Sequence, residues 1–465
     1  MDLTGLLVGA TLATKAEELF DDCIERFPTN PLVTNEATKF YDAIRKADKA
    51  TEVIRRAVEQ APENLSLRAN LSDRLRRQGD VEGADKVLRE SAESFKSAGA
   101  WNLLAAFLRS EGRSEQALEA LDKVAELSGG GDDQVRFTQA DILIDLGQLD
   151  RAEEIAGSLQ EPTYARLLRG RILLARGNAK AALVEFDQGI RAWPNNAGAR
   201  FLAGQAALQL GDFDRAVSEL REAVRVDNSA TEAAHLLLRL HYGRGEYQEA
   251  VRFGRVAARR RGAQLADIFL VGARAYVELG AYDDARATVE SLAQIKSHEK
   301  TAVLELARVE QRATGPEKAA AVITEARLDL RDPANADALD LLADNLAAAG
   351  KGAEALSRVE AAVAAHPDSA ELQRIRGDLL LRADRDAEAR AAYTRANELD
   401  QKLAPALAGL ATLAAKQGDL AAAVERFDAA SKLAPSVTSY AYPAAQLVLS
   451  QGGPTRPRQI GRAHV

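Results

Sequence analysis

Cysteine is almost missing from this chain: Cys23 is the only one in 465 residues. A single thiol closes no disulfide within one chain and supplies no thiolate cluster, so neither device stabilises the fold. Histidine is scarce as well. His235, His241, His298, His366 and His464 show no metal-ligand spacing with nearby carboxylates, and neither a metal nor a cofactor is expected. A dominant sign of charge is lacking too, with 61 basic against 69 acidic residues and a formal net charge of -8. Net charge therefore gives no reason to expect nucleic acid or an anionic membrane as partner. The most apolar stretch, Leu403 to Ala415, is too short to cross a bilayer and has the spacing of a packed helix. Residues 5–13 look like a short signal-peptide core, but Asp2 stands where a basic residue would precede one. The default location is cytoplasmic; a periplasmic or envelope location follows if the N-terminus is truncated.

What the chain does have is a repeat. A Gly followed five residues later by Ala recurs at Gly79/Ala84, Gly112/Ala117, Gly147/Ala152, Gly177/Ala182, Gly211/Ala216, Gly245/Ala250, Gly280/Ala285, Gly315/Ala320, Gly350/Ala355 and Gly418/Ala423. Successive glycines up to Gly350 are separated by 33, 35, 30, 34, 34, 35, 35 and 35 residues. A period in this range means stacked supersecondary units in which each contacts its neighbours. Within the stretch Ala197 to Ala230, apolar residues recur three and four apart before Gly211 (Phe201, Gly204, Leu208) and after it (Phe213, Ala216, Leu220, Ala223). Two amphipathic helices joined at the glycine are expected.

The local signals agree with that division. Glycine suits the left-handed residue that ends a helix, and Asp80, Asp212, Glu246 and Asp419 stand where a side chain can cap the next one. The small Ala marks a close crossing of the two helices, where a larger side chain would wedge them apart. Pro28, Pro62, Pro194, Pro367 and Pro435 then close the second helix, because proline lacks the donor and disfavours helix in the residue before it.

Small residue, Gly turn, Tyr or Phe, Ala, aromatic, Ala and Pro at this spacing resemble the tetratricopeptide repeat. Trp101, Gly170, Gly204, Tyr276, Gly377, Tyr247, Tyr282, Phe186, Tyr393 and Phe427 occupy the positions that pattern expects. The resemblance implies an all-α solenoid of antiparallel helix pairs wound as a right-handed superhelix. About twelve units are expected over residues 31–437, after a partial repeat, mainly a second helix, at 1–30 and before the start of a further repeat at 438–451. The register puts a helix at Thr14 to Phe27 and a shortened one ahead of it, and both ends look cut. Residues 452–465 lose the pattern, and 460–465 resemble a translated sequencing-library adapter and are set aside. Arg45 and Asp384 replace the turn glycine. Gly129, Gly130 and Gly131 form a junction whose following unit is about four residues short, so irregular geometry is expected near 130–165.

In proteins of this kind, ligands lie along the concave face lined by the first helix of each pair. The resemblance therefore points to Tyr164, Arg171, Phe201, Gln205, His235, Arg239, Tyr242 and Arg274 as a peptide-binding groove. Arg171, Gln205, Arg239 and Arg274 share one register position and would form a ladder for carbonyls or carboxylates, with Phe201 and Tyr242 as aromatic anchors. The same residues also read as a solvated face. Asp337, Asp340, Asp344, Glu371 and Asp378 follow at groove positions, so the wall changes sign along the chain.

Other chemistries find less support. No unit pairs Lys with Asn as chaperone-binding members do. Arg252, Arg255, Arg259, Arg260 and Arg261 form the densest basic cluster, without the interleaved aromatics of a nucleic-acid platform. The glycine run follows a helix and lacks Gly-Lys-Ser or Gly-Lys-Thr, so it is no phosphate loop. No catalytic set is evident. The expectation is a non-catalytic scaffold that binds a protein or peptide and assembles a bacterial complex, on a composition rich in Ala and Arg. Two rivals are an envelope scaffold of exopolysaccharide synthesis or export, and the substrate-presenting arm of a larger enzyme such as a glycosyltransferase.

Overall fold

The computed structural model describes residues 3–130, 132–259 and 264–450. Among them the chain forms 26 α-helices, one 3-10 turn and no strand. Two compact units divide it, Met1–Glu222 and Ala223–Val465, with the division inside the helix Phe213–Val226. In each unit, helices pack on their neighbours in chain order as antiparallel pairs joined by short turns.

The turns explain the pairs. Gly211 and Gly245 adopt φ of 72° and 74°, and the residue after Gly211 returns a hydrogen bond from Asp212 N to Ala207 O of 2.9 Å. Glycine has no Cβ to clash there. Arg45 and Asp384 take the same conformation, φ 59° and 58°, at a cost of about 1 kcal/mol each. Side-chain caps start the second helix where the sequence suggests them: Asp80 accepts from Gly83 N at 2.9 Å and Asp419 from Ala422 N at 3.1 Å. Glu246 departs from this expectation. Its longer side chain makes no cap and instead meets Nδ1 of His241, whose ring stacks on Phe253 at 5.5 Å.

Close crossing is visible at the predicted alanines: Ala84, Ala117, Ala152, Ala182, Ala216, Ala250 and Ala285 are all 0% exposed. Glycines inside the first helices do the same work from the other side. A Cβ on Gly204 would lie 2.8 Å from Leu220, and one on Gly377 would lie 2.7 Å from the ring of Tyr393, whose hydroxyl donates to Asp378 at 2.6 Å. The helices Gln60, Ala192, Ala365 and Leu433 terminate each stop two residues before Pro62, Pro194, Pro367 and Pro435.

The turn at Gly315 differs from its neighbours. Gly315 N bonds back to Glu310 O, five residues earlier, which is the bond Asp212 makes in the regular turn. The turn is thus one residue shorter, and the tight alanine is Ala319, fully buried, rather than the expected Ala320. Everything in the preceding helix shifts by one register place.

A second irregularity lies where the glycine junction suggests it. The helix Leu149–Ser158 has 10 residues, whereas Ala179–Ala192 has 14. The helix Pro162–Ala175 packs directly on Asp133–Asp145 as well as on the short one between them. Gly129 and Gly130 both have positive φ, while Gly131 lies outside the described residues.

At the start of the chain, Leu3–Arg26 is one helix of 24 residues, with no break ahead of Thr14. The helix Thr438–Ser450 follows the last full pair. Residues 452–465, including the adapter-like 460–465, are outside the described residues. Among the described residues no helix is long and apolar enough to cross a membrane, and no group of His, Cys, Asp or Glu is arranged to hold a metal ion.

Candidate functional site

The eight expected groove residues all lie on first helices, but they are not equally available. Four belong to the unit Met1–Glu222. Tyr164, half-buried on Pro162–Ala175, sets its ring 5.2 Å from that of Phe137 on Asp133–Asp145. Arg171 is two turns further on. Its side chain is 19% exposed and its guanidinium is held between Asp141 and Asp145, the latter at 2.8 Å. Asp141 also receives Arg109, so one buried carboxylate is clasped by arginines from both sides. Arg109 and Arg171 thus reach Asp141 from the first helices on either side of its own. Phe201 and Gln205 are half-buried on Ala197–Gln209.

The other four belong to the unit Ala223–Val465. His235 is buried, with Nε2 2.6 Å from an Asp267 carboxylate oxygen. Arg239 is 62% exposed and reaches the same carboxylate only at 3.9 Å. Tyr242 is half-buried beside Tyr247, ring centroids 5.7 Å apart, and burial raises its hydroxyl above the ordinary value. Arg274 grips Glu305 with two hydrogen bonds of 3.1 Å each, and that partner holds its guanidinium above the usual range.

Tyr242 and Arg274 open onto a cleft of about 440 Å³. It runs over four successive first helices, Thr231–Gly243, Leu265–Glu278, Glu299–Ala313 and Ala336–Ala348. Val277 and Leu341 give it apolar ground, while Glu278, Arg308 and Arg312 stand at its edge with Glu305 beneath. Arg308 bonds Glu305 at 3.2 Å, and Arg312 approaches Glu278 no closer than 3.8 Å.

Arg308 and Arg312 are absent from the expected set, and the reason is the shortened turn at Gly315. Counting from Gly315 puts Val309 in the ladder position, yet burial puts Arg308 there. Ala307 and Val309 are both fully buried, as Ala273 and Ala275 are on either side of Arg274. The register run in this unit is therefore Arg239, Arg274, Arg308. The burial period of the helix itself, rather than its distance to the glycine, carries that signal in the sequence.

Beyond Arg308 the register turns acidic, and the structure supplies cations to match. Asp337 pairs with Lys300 at 2.6 Å, Asp340 with Arg374 at 2.7 Å and Asp344 with Arg382 at 2.6 Å. Arg374 also binds Glu371 and Asp378, at 2.7 and 2.5 Å, and burial raises the Asp378 carboxyl. Elsewhere in the unit, Arg252 pairs with Glu249 at 3.4 Å and Arg255 donates to the Tyr276 hydroxyl at 3.0 Å. Arg260 and Arg261 of that basic cluster lie outside the described residues.

Comparison with known proteins agrees with the repeat. A family model described as tetratricopeptide repeat matches residues 69–132, 137–197 and 341–404, and a second with the same description matches 173–240. No curated protein matches the chain. Among solved structures, yeast Tom70 is similar over 92% of this chain and 97% of its own, at 14% identity and a TM-score of 0.41. The C-terminal part of a repeat-containing protein from Cytophaga hutchinsonii covers 59% of this chain and 99% of its own, at 16% identity and 0.38. A tetratricopeptide repeat protein from Parabacteroides merdae covers 51% and 93%, at 15% identity and 0.37.

Proposed function

The chain belongs to the tetratricopeptide repeat family, a protein-interaction scaffold fold, and on that premise we propose that first helices of the unit Ala223–Val465 form the docking wall for an extended protein segment. The cleft shared by four successive first helices carries this reading. Tyr242, Val277 and Leu341 offer apolar contact, and Arg239, Arg274 and Arg308 stand beside it at one register position. Tyrosine and arginine dominate binding energy where a partner excludes water. In the other unit, Phe201 and Gln205 serve as contact residues, while Tyr164 and Arg171 chiefly hold one first helix against another. The scaffold's use is assembly of a bacterial complex, supported by the coding composition alone.

The test pans a random displayed-peptide library against the immobilised full chain. Changing Tyr242 and Arg239 together to Ala lowers retention of selected peptides roughly tenfold or more, with the helical circular dichroism retained. Equal retention on the double variant removes the cleft from the proposal, and a library that yields no binder to the folded chain removes the docking wall.

A further inference from the structure

We infer that the cleft at Tyr242, Arg274, Arg308 and Arg312 selects an acidic segment, one carrying carboxylates on alternate residues of an extended strand. This deepens the docking proposal and rests on it.

The cleft contains more cation than its own anions use. Three guanidinium groups, from Arg274, Arg308 and Arg312, face two carboxylates, from Glu278 and Glu305. Glu305 is only 3% exposed, and Arg274 and Arg308 both turn toward it. A buried carboxylate clasped in this way fixes the direction of both arginines without exhausting them. Each guanidinium has five N–H donors. Arg274 uses Nε and Nη2 on Glu305, whereas Arg308 uses a single Nη1 contact. Arg312 sits 3.8 Å from Glu278, beyond hydrogen-bond reach. Arg308 and Arg312 are 49% and 57% exposed, so their remaining donors face outward. An arriving carboxylate completes a bidentate pair with each of them, the geometry guanidinium favours.

Spacing indicates the form of the ligand. Arg308 and Arg312 are four residues apart on Glu299–Ala313, hence neighbours about 6 Å apart on one helix face. Two residues of extended chain advance roughly 6.5 Å. Acidic side chains at every second position therefore meet successive arginines, while the side chains between them face away. Nucleic acid is the competing polyanion. The lack of a stacking row beyond Tyr242 favours protein.

Fluorescence anisotropy on the full chain decides the matter, using a labelled ten-residue peptide of alternating Glu and Ser. Its controls are an alternating Gln and Ser peptide and a twelve-nucleotide oligothymidine. The Glu peptide binds at least tenfold more tightly than the Gln peptide, weakens as salt rises, and loses at least tenfold in affinity on R308Q/R312Q. It is unaffected by K432Q, a remote exposed lysine paired only with Asp428. Equal binding of the Glu and Gln peptides, no loss on R308Q/R312Q, or tighter binding of the oligonucleotide overturns the acidic assignment. Panned peptides that bind at Tyr242 without acidic enrichment would likewise overturn it while leaving the docking wall in place; panning that yields no binder removes both.

Discussion

Residues 133–175 and residues 231–313 are built from the same parts and put them to different ends. Each has a first-helix carboxylate clasped by two arginines: Asp141 between Arg109 and Arg171, Glu305 between Arg274 and Arg308. In the earlier stretch Asp145 joins on the far side, so two arginines meet two aspartates and Arg171 is largely covered. In the later one Arg312 adds a third cation, and the arginines stay half exposed. A clasped carboxylate is thus a brace when charge is balanced, and a brace with a binding surface when cation is in surplus.

Core truncation tests whether the two stretches are equivalent in packing, and it has the largest expected effect. Leu168 and Leu237 are both 0% exposed. Leu168→Ala and Leu237→Ala each cost about 3 kcal/mol, with hydrogen exchange accelerating mainly in adjoining helices. A uniform loss of protection over the whole chain in either variant would break the comparison, because solenoid repeats contact only their neighbours.

Charge removal should separate them. Asp141→Ala leaves Arg171 covered without its main partner and costs about 2 kcal/mol, whereas Arg312→Ala changes stability by less than about 0.5 kcal/mol. Urea midpoints of the two variants decide; equal shifts would mean that Arg312 braces the fold as Arg171 does.

Acid gives the smallest and most local contrast. Arg286 donates to Glu310 at 2.7 Å and holds its carboxyl below the ordinary 4.5. A depressed folded value means that this pairing contributes stability above about pH 4.5, and that the contribution is lost as pH falls further through the folded value. Wild type therefore loses more of its thermal midpoint between pH 6 and pH 3.5 than Glu310→Gln does. Parallel losses in the two proteins would show that Glu310 is not part of the acid response.

Much of this architecture is legible in the residues themselves. The Gly and Ala period, the apolar stripes and the terminating prolines are each local in origin, which is why the helix pairs fall where the period puts them. Position 315 shows where the reading fails. A glycine there keeps the spacing of a turn while the turn loses a residue, and only the burial of Ala307 and Val309 reveals that Arg308 has moved into the ladder. Glu246 fails for a similar reason: a capping position was evident, but the buried imidazole of His241 competes for the same carboxylate.

The groove residues show the same limit more sharply. Arg171 and Arg274 occupy one register position, yet one is covered and the other borders a cleft. Sequence alone determined the helix pair, because backbone periodicity, turn chemistry and close-packed small residues act within one repeat of about 34 residues. Tertiary structure alone decided which arginines remain open. A charged side chain is satisfied by a carboxylate roughly thirty residues away on a neighbouring first helix, a pairing that no spacing within one repeat records.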